Sequence, residues 1–185
     1  LIDTDLEEKM ELVRTIVTLG RGEREKEKIK VRQPLSQILV DSRYEDQIAD
    51  MVQLIMEELN VKAVVFEKNM DTYMNYSLKP DFRKAGPVLG GKVKEFGKAL
   101  ASADVKELIA RLGEEEKIVL NLGGEETEIP SELVEVRVSA KEGFAVGTDR
   151  GVFVILDTQL TPELISEGLA RELVSKVQQM RKQKD

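Results

Sequence analysis

The chain has no cysteine and no histidine among its 185 residues, and aromatic side chains make up only 4% of it. Without cysteine there are no disulfides and no thiolate metal sites. Without histidine there are no imidazole ligands and no imidazole general bases. Long apolar runs are missing too: no stretch approaches the roughly 20 residues that cross a bilayer. No basic-then-apolar leader of the secretory kind opens the sequence. The expectation is a cytoplasmic protein with no membrane partner. What is present is a composition 41% hydrophobic and 34% charged, that of a soluble globular chain long enough for one sizeable core or two small ones.

The net charge of -7 argues against wholesale nucleic-acid binding only if it is spread evenly, and it is not. Residues 104–135 hold ten acidic against three basic residues, net -7. Residues 79–98 hold six basic against two acidic, net +4, and residues 171–185 hold five against two, net +3. A phosphate-binding face away from the acidic middle is compatible with this distribution.

Apolar spacing predicts one helix over residues 5–28, with Asp5 as N-cap, and Leu6, Met10, Val13, Ile16 and Val17 on one face. Glu23 to Lys28 alternates in charge without an apolar stripe, so that end is either solvated or packs on something absent. Ile29-Lys30-Val31-Arg32-Gln33 reads as a strand with two cations on one edge, ended by Pro34. A helix over 44–59 comes next, with Asn60 as a left-handed C-cap, then strands over 61–67 and 73–79. Pro80 to Gly91 reads as a loop and Val93 to Leu100 as a helix. Asp104 caps a short helix to Leu112. Strands over 117–122 and 125–129 flank the turn signal Gly123-Gly124, and three more over 133–157 suggest a meander. Thr161-Pro162-Glu163 is a strong helix start, and Ile165, Leu169, Leu173, Val177 and Met180 run down one face of that last helix.

No catalytic constellation is present. Glu114-Glu115-Glu116 and Glu125-Glu126 are rich in carboxylates but flank a strand and a glycine turn; a solvated acidic surface is the reading ahead of a cation site, so no metal site is expected. Gly86 to Lys92 leads into a helix start in the manner of a phosphate cradle, without the Gly-Lys-Ser/Thr spacing of a nucleotide loop. A structural turn, or a contact to one backbone phosphate of an RNA, are the two readings. Lys30 and Arg32 are either solubilising cations on an exposed edge or contacts to RNA. Phe66, Tyr73, Tyr76 and Phe82 lie near basic residues and are either core or able to stack on an unpaired base.

Ile29 to Leu35, preceded by Leu19-Gly20-Arg21, resembles the junction that comes after the anticodon-binding helical bundle of isoleucyl-tRNA synthetases. The resemblance recurs at Glu58-Leu59-Asn60-Val61-Lys62 and at Leu78-Lys79-Pro80-Asp81-Phe82, with Gly86-Pro87 and Leu89-Gly90 after it. It recurs again at Leu160 to Ile165 and Glu167 to Glu172, in the same order as in the family. The type resembled is the one without a C-terminal zinc module. Glu23 to Lys28 departs from the family, which more often has a less acidic stretch there. The family's ATP-binding motif contains two histidines and its second signature is Lys-Met-Ser-Lys-Ser; neither occurs here.

The resemblance implies a C-terminal region of a class I isoleucine–tRNA ligase, with the catalytic and editing sites elsewhere in the parent enzyme. ATP and Mg would serve the parent and no cofactor this region. The expected fold is α+β: a terminal helix of a truncated bundle over 1–28, an α+β unit over 29–101, and a second over 102–185 with a β-meander and a long C-terminal helix. The expected role is to bind tRNA(Ile) on the anticodon side. The alternative is a docking module that braces the bundle against the remainder of the synthetase with little RNA contact. The RNA-binding candidates are Lys30, Arg32, Lys79, Arg83, Lys84, Lys92 and Lys94, with Arg171, Lys176 and Arg181 on the last helix.

Overall fold

A computed structural model describes residues 3–184. The fold is α+β and divides into two compact units, one of residues 1–74 with 140–185 and the other of residues 75–139.

In the first unit, α1 (Thr4–Lys26) begins at Asp3, not Asp5, because the Asp3 carboxylate accepts from the Leu6 amide. The sheet runs in the order β2 (Val64–Glu67), β1 (Ile38–Asp41), β8 (Val152–Asp157), β7 (Phe144–Asp149). β1 is parallel to β2 and antiparallel to β8, so Ile38, Leu39 and Val40 are buried on both faces. Leu12, Val13 and Ile16 of α1 join these strands in one core. Two glycines let α1 seat closely. A Cβ on Gly20 would lie 2.7 Å from the Leu59 methyls, and one on Gly147 of β7 would meet Glu23 and Leu19. The charged end of α1 is divided: Glu23 and Arg24 are buried within the unit, while Glu25 to Lys28 are solvated.

Residues 29–33 form a turn, not a strand. The Gln33 amide donates to the Lys30 carbonyl (2.9 Å), and the buried Arg24 guanidinium draws the carbonyls inward. These tertiary contacts override the local alternation. The helix expected over 44–59 is broken into 3-10 turns at 42–44 and 49–51 with α2 (Glu45–Ile48) and α3 (Val52–Leu59). Asn60 does cap α3 in the left-handed conformation, φ 52° and ψ 52°. Thr161 accepts from the Leu164 amide at the start of α7 (Pro162–Lys184). Only Leu164 and Gly168 of α7 are buried, and nothing from Leu173 to Lys184 is.

The second unit pairs β3 (Met74–Pro80) with β6 (Val134–Ala140) and β4 (Lys117–Leu122) with β5 (Glu125–Pro130). β4 and β5 form the expected two-residue hairpin, with Gly123 and Gly124 at φ 62° and 96°. Alternation buries Ile118, Leu120 and Leu122. Residues 134–157 are not one meander. β6 pairs with β3, whereas β7 and β8 pair with each other in the first unit. Residues 82–89 are a helix, α4 (Phe82–Leu89), where glycine and proline suggested a loop. Asp81 caps it, Ala85 anchors it in the core, and Pro87 sits near enough to its end for Gly90 to terminate it. Gly86 thus lies inside this helix, and the turn is confined to Gly90–Lys92. α5 (Val93–Ser102) and α6 (Val105–Glu114) complete the unit, the latter capped by Asp104 as expected. Phe96, Leu100, Leu108 and Ile129 lie in this separate core.

Candidate nucleic-acid interface

In the first unit the cations gather around the turn at 29–33. Arg24 reaches across from the last turns of α1, and its Nη2 donates to the carbonyls of Lys30 (2.7 Å) and Gln33 (2.6 Å). Burial pulls the Arg24 pKa below its ordinary value, though an arginine keeps its charge across the physiological range. Asn60 holds the other side: its Nδ2 donates to the Val31 carbonyl (3.0 Å) and its Oδ1 accepts from Arg171 Nη1 (2.7 Å). Val31, at the tip, is 83% exposed. Gln33 Nε2 donates to the Leu164 carbonyl of α7 (2.7 Å). Gly168 makes that approach possible, since a Cβ there would lie 2.3 Å from Gln33 Oε1.

Arg32 and Arg171 come together here, joined by Arg21 and Arg24, around a cleft of about 570 Å³. Arg21, Arg32 and Arg171 all stand in the family motifs, but nothing in the linear sequence brings Arg24 beside them. Each exposed arginine has an acid close by. Arg21 pairs with Glu58, Arg32 lies 3.7 Å from Glu172, and Arg171 bonds Glu167 at 2.8 Å. Lys62 also reaches Glu167, and these cations hold the Glu167 carboxyl below its ordinary value. Lys30, in the same turn, is exposed and lines a separate cleft with Leu169 and Glu172. Lys176 and Arg181 lie further along α7, on the part where no residue is buried.

The other candidates belong to the second unit. Lys79 is on β3, Arg83 and Lys84 on the first turn of α4, and Lys92 and Lys94 around the start of α5. Lys84 lies 3.8 Å from Asp81. Lys92 bonds Glu125 at 2.5 Å and lowers its pKa. Among the described residues, no ion pair or hydrogen bond engages the side chains of Lys30, Lys79, Arg83, Lys94, Lys176 or Arg181. Of the aromatic candidates, Phe66, Tyr73 and Tyr76 are half-buried, Tyr73 edge-on to Phe144 at 5.0 Å, and Phe82 is exposed. Among the described residues there is no group of three or more acidic side chains placed to hold a metal ion. No helix among them is long and apolar enough to cross a membrane.

No protein-family model matches the chain. Its sequence is nevertheless similar from end to end to a segment of aminoacyl-tRNA synthetases. The synthetases in question are isoleucine–tRNA ligases. That of Clostridium tetani is 35% identical over all of this chain and 18% of the relative's own length. That of Chlamydia abortus is 41% identical over 96% of the chain and 17% of the relative. That of Clostridium novyi is 37% identical over 99% and 18%. The chain is thus homologous to part of these ligases and spans less than a fifth of their length.

Proposed function

We infer that this chain is a non-catalytic, RNA-binding region of an isoleucine–tRNA ligase, which holds the anticodon side of tRNA(Ile) while the ATP- and Mg-dependent chemistry proceeds in other parts of the parent enzyme. The observation that carries the reading is the set of exposed, unpaired cations on a chain that is acidic overall. Lys79, Arg83 and Lys94 stand in one stretch of net +4, and Lys30, Lys176 and Arg181 in the other unit. An exposed cation without an acid beside it is free to displace counterions from a phosphate, whereas one already paired must first give up its partner. On that ground Lys84, Lys92, Arg32 and Arg171 contribute less to RNA binding than the unpaired set.

Titrating the chain with tRNA(Ile) and a non-cognate tRNA at about 50 and about 200 mM salt tests the reading. Three phosphates neutralised correspond to a loss of roughly 20- to 40-fold in affinity across that range. No binding at the lower salt, with the circular dichroism of the folded chain intact, sinks it.

A second reading has its own support. The outer face of α7 exposes Leu169, Leu173, Val174 and Met180, and the arginine cleft is balanced by acids. Both suit a module that docks against the remainder of the synthetase. Charge reversal at Lys30 and Arg32 separates the two. A defect in tRNA binding with unchanged stability favours RNA contact, and a loss of stability alone favours docking.

A further inference from the structure

One aromatic ring of the second unit is not used by its core. Four of the five phenylalanines are buried or half-buried; Phe82 is 64% exposed. It is held there by a rigid first turn. The Asp81 carboxylate accepts from the amides of Arg83 (3.2 Å) and Lys84 (3.4 Å), the Asp81 amide donates to the Leu133 carbonyl (2.8 Å), and Ala85 is fully buried. One helical turn after the ring comes Gly86, where a Cβ would meet nothing within 4 Å. The position one turn on from the ring therefore carries no side chain and has open space above it.

A single exposed apolar residue is ordinary on a protein surface. The charges around this one set it apart. Arg83 comes directly after it and Lys79 precedes it by three residues, both exposed and both with side chains free of ion pairs and hydrogen bonds among the described residues. The nearest acid in sequence, Asp81, is engaged in capping the helix and lies 3.8 Å from the Lys84 ammonium. An exposed ring flanked in the chain by unpaired cations complements a ligand that is itself a flat ring on an anionic backbone. An apolar protein partner would leave those cations unmatched.

We propose that Phe82, with the bare surface of Gly86 beside it and Arg83 and Lys79 next to it in the chain, is a stacking platform for an unpaired nucleotide of an RNA. The proposal deepens the RNA-binding reading and rests on it for the identity of the RNA. The ring supplies affinity that requires a base, and the cations supply affinity that requires only a phosphate.

The chain contains no tryptophan, so Phe82→Trp places its single tryptophan, excited selectively beyond the tyrosine absorption, at the platform. It would be titrated with a single-stranded RNA ten-mer, the same ten-mer as a duplex, and an abasic ten-mer of equal charge. The expected result is quenching by the single strand and little by the other two. Labelled-RNA anisotropy should show Phe82→Ala weakening single-strand binding by about five- to a hundredfold and abasic binding hardly at all. Arg83→Ala should weaken both, and Val88→Ala, at another exposed apolar position of α4, neither. Emission indifferent to the single strand, or Phe82→Ala binding as tightly as the unaltered chain, overturns the platform. If tRNA still binds in that case, the RNA-binding reading stands without it. If the unaltered chain binds no tRNA, that reading falls, and the ten-mer result still decides the platform. Shielding of the tryptophan from acrylamide by the full-length synthetase, without any response to RNA, assigns Phe82 to a protein contact and overturns the proposal.

Discussion

A guanidinium taken out of water is costly unless its N–H groups find acceptors; Arg24 Nη2 finds them in the carbonyls of Lys30 and Gln33, whereas Nη1 is buried without an acceptor among the described residues. Those carbonyls in turn have their geometry fixed by a residue six to nine positions earlier. Arg24→Ala removes both bonds and should lower the stability of the chain by about 3 kcal/mol, read from urea unfolding. Arg24→Lys should recover part of it, because both bonds come from the single nitrogen Nη2 and an ammonium also carries more than one N–H donor. Glu167 gives a pH dependence. Lys62 and Arg171 hold its folded pKa below the ordinary 4.5, so the folded chain binds its proton less readily than the unfolded one. The contribution is present above about 4.5 and lost as pH falls through the lower folded value. Unfolding midpoints measured from about pH 6 to about pH 3 should fall, and Glu167→Gln should flatten part of that slope.

At the scale of elements, α1 is placed by small residues as much as by large ones. Gly20→Ala gains roughly 1 kcal/mol of helix propensity but drives a methyl into Leu59, itself buried in the core. Overpacking of that kind costs about 1–3 kcal/mol, so the variant should unfold at lower denaturant despite the better helix former. α7 shows the opposite condition. Its first turns are tied down through Gln33, Asn60 and Lys62, while no residue of 173–184 is buried. Hydrogen exchange should therefore be fast for amides 173–184 and slow for β1 and β8; equal protection along α7 would contradict this. The apolar positions at Leu169, Leu173 and Met180 are visible as a helical stripe in the sequence. A stripe declares amphipathicity and not the presence of a partner, so their exposure was not legible.

At the scale of the molecule, residues 75–139 are inserted into the chain of a unit whose sheet closes only when β7 and β8 return to β1. Each unit has its own core. Phe96→Ala, which removes a fully buried ring, should cost about 3–5 kcal/mol. Its effect on hydrogen exchange should fall on residues 75–139 and leave β1 and β8 protected. Loss of protection in both units together would show a single cooperative fold.

Local chemistry was enough to locate whatever it alone decides. Asn60 adopts the left-handed cap because a short amide tolerates that conformation, Gly123-Gly124 turns because both positions need positive φ, and Thr161-Pro162 starts α7. The order of family motifs was equally legible, because homology is a property of sequence. Three features were decided only in the folded chain. Ile38 to Asp41 becomes a strand because it is sandwiched between β2 and β8, the latter pairing bringing Ile38 opposite Leu156 from the far end of the chain. Ile29 to Gln33 becomes a turn because Arg24 and Asn60 bind its carbonyls. The ten candidate cations sort into paired and unpaired only when the acids opposite them come into place. The sequence determined which charges, caps and turns exist; tertiary structure decided which of them remain free to meet another molecule, since pairing and burial depend on residues distant in the chain.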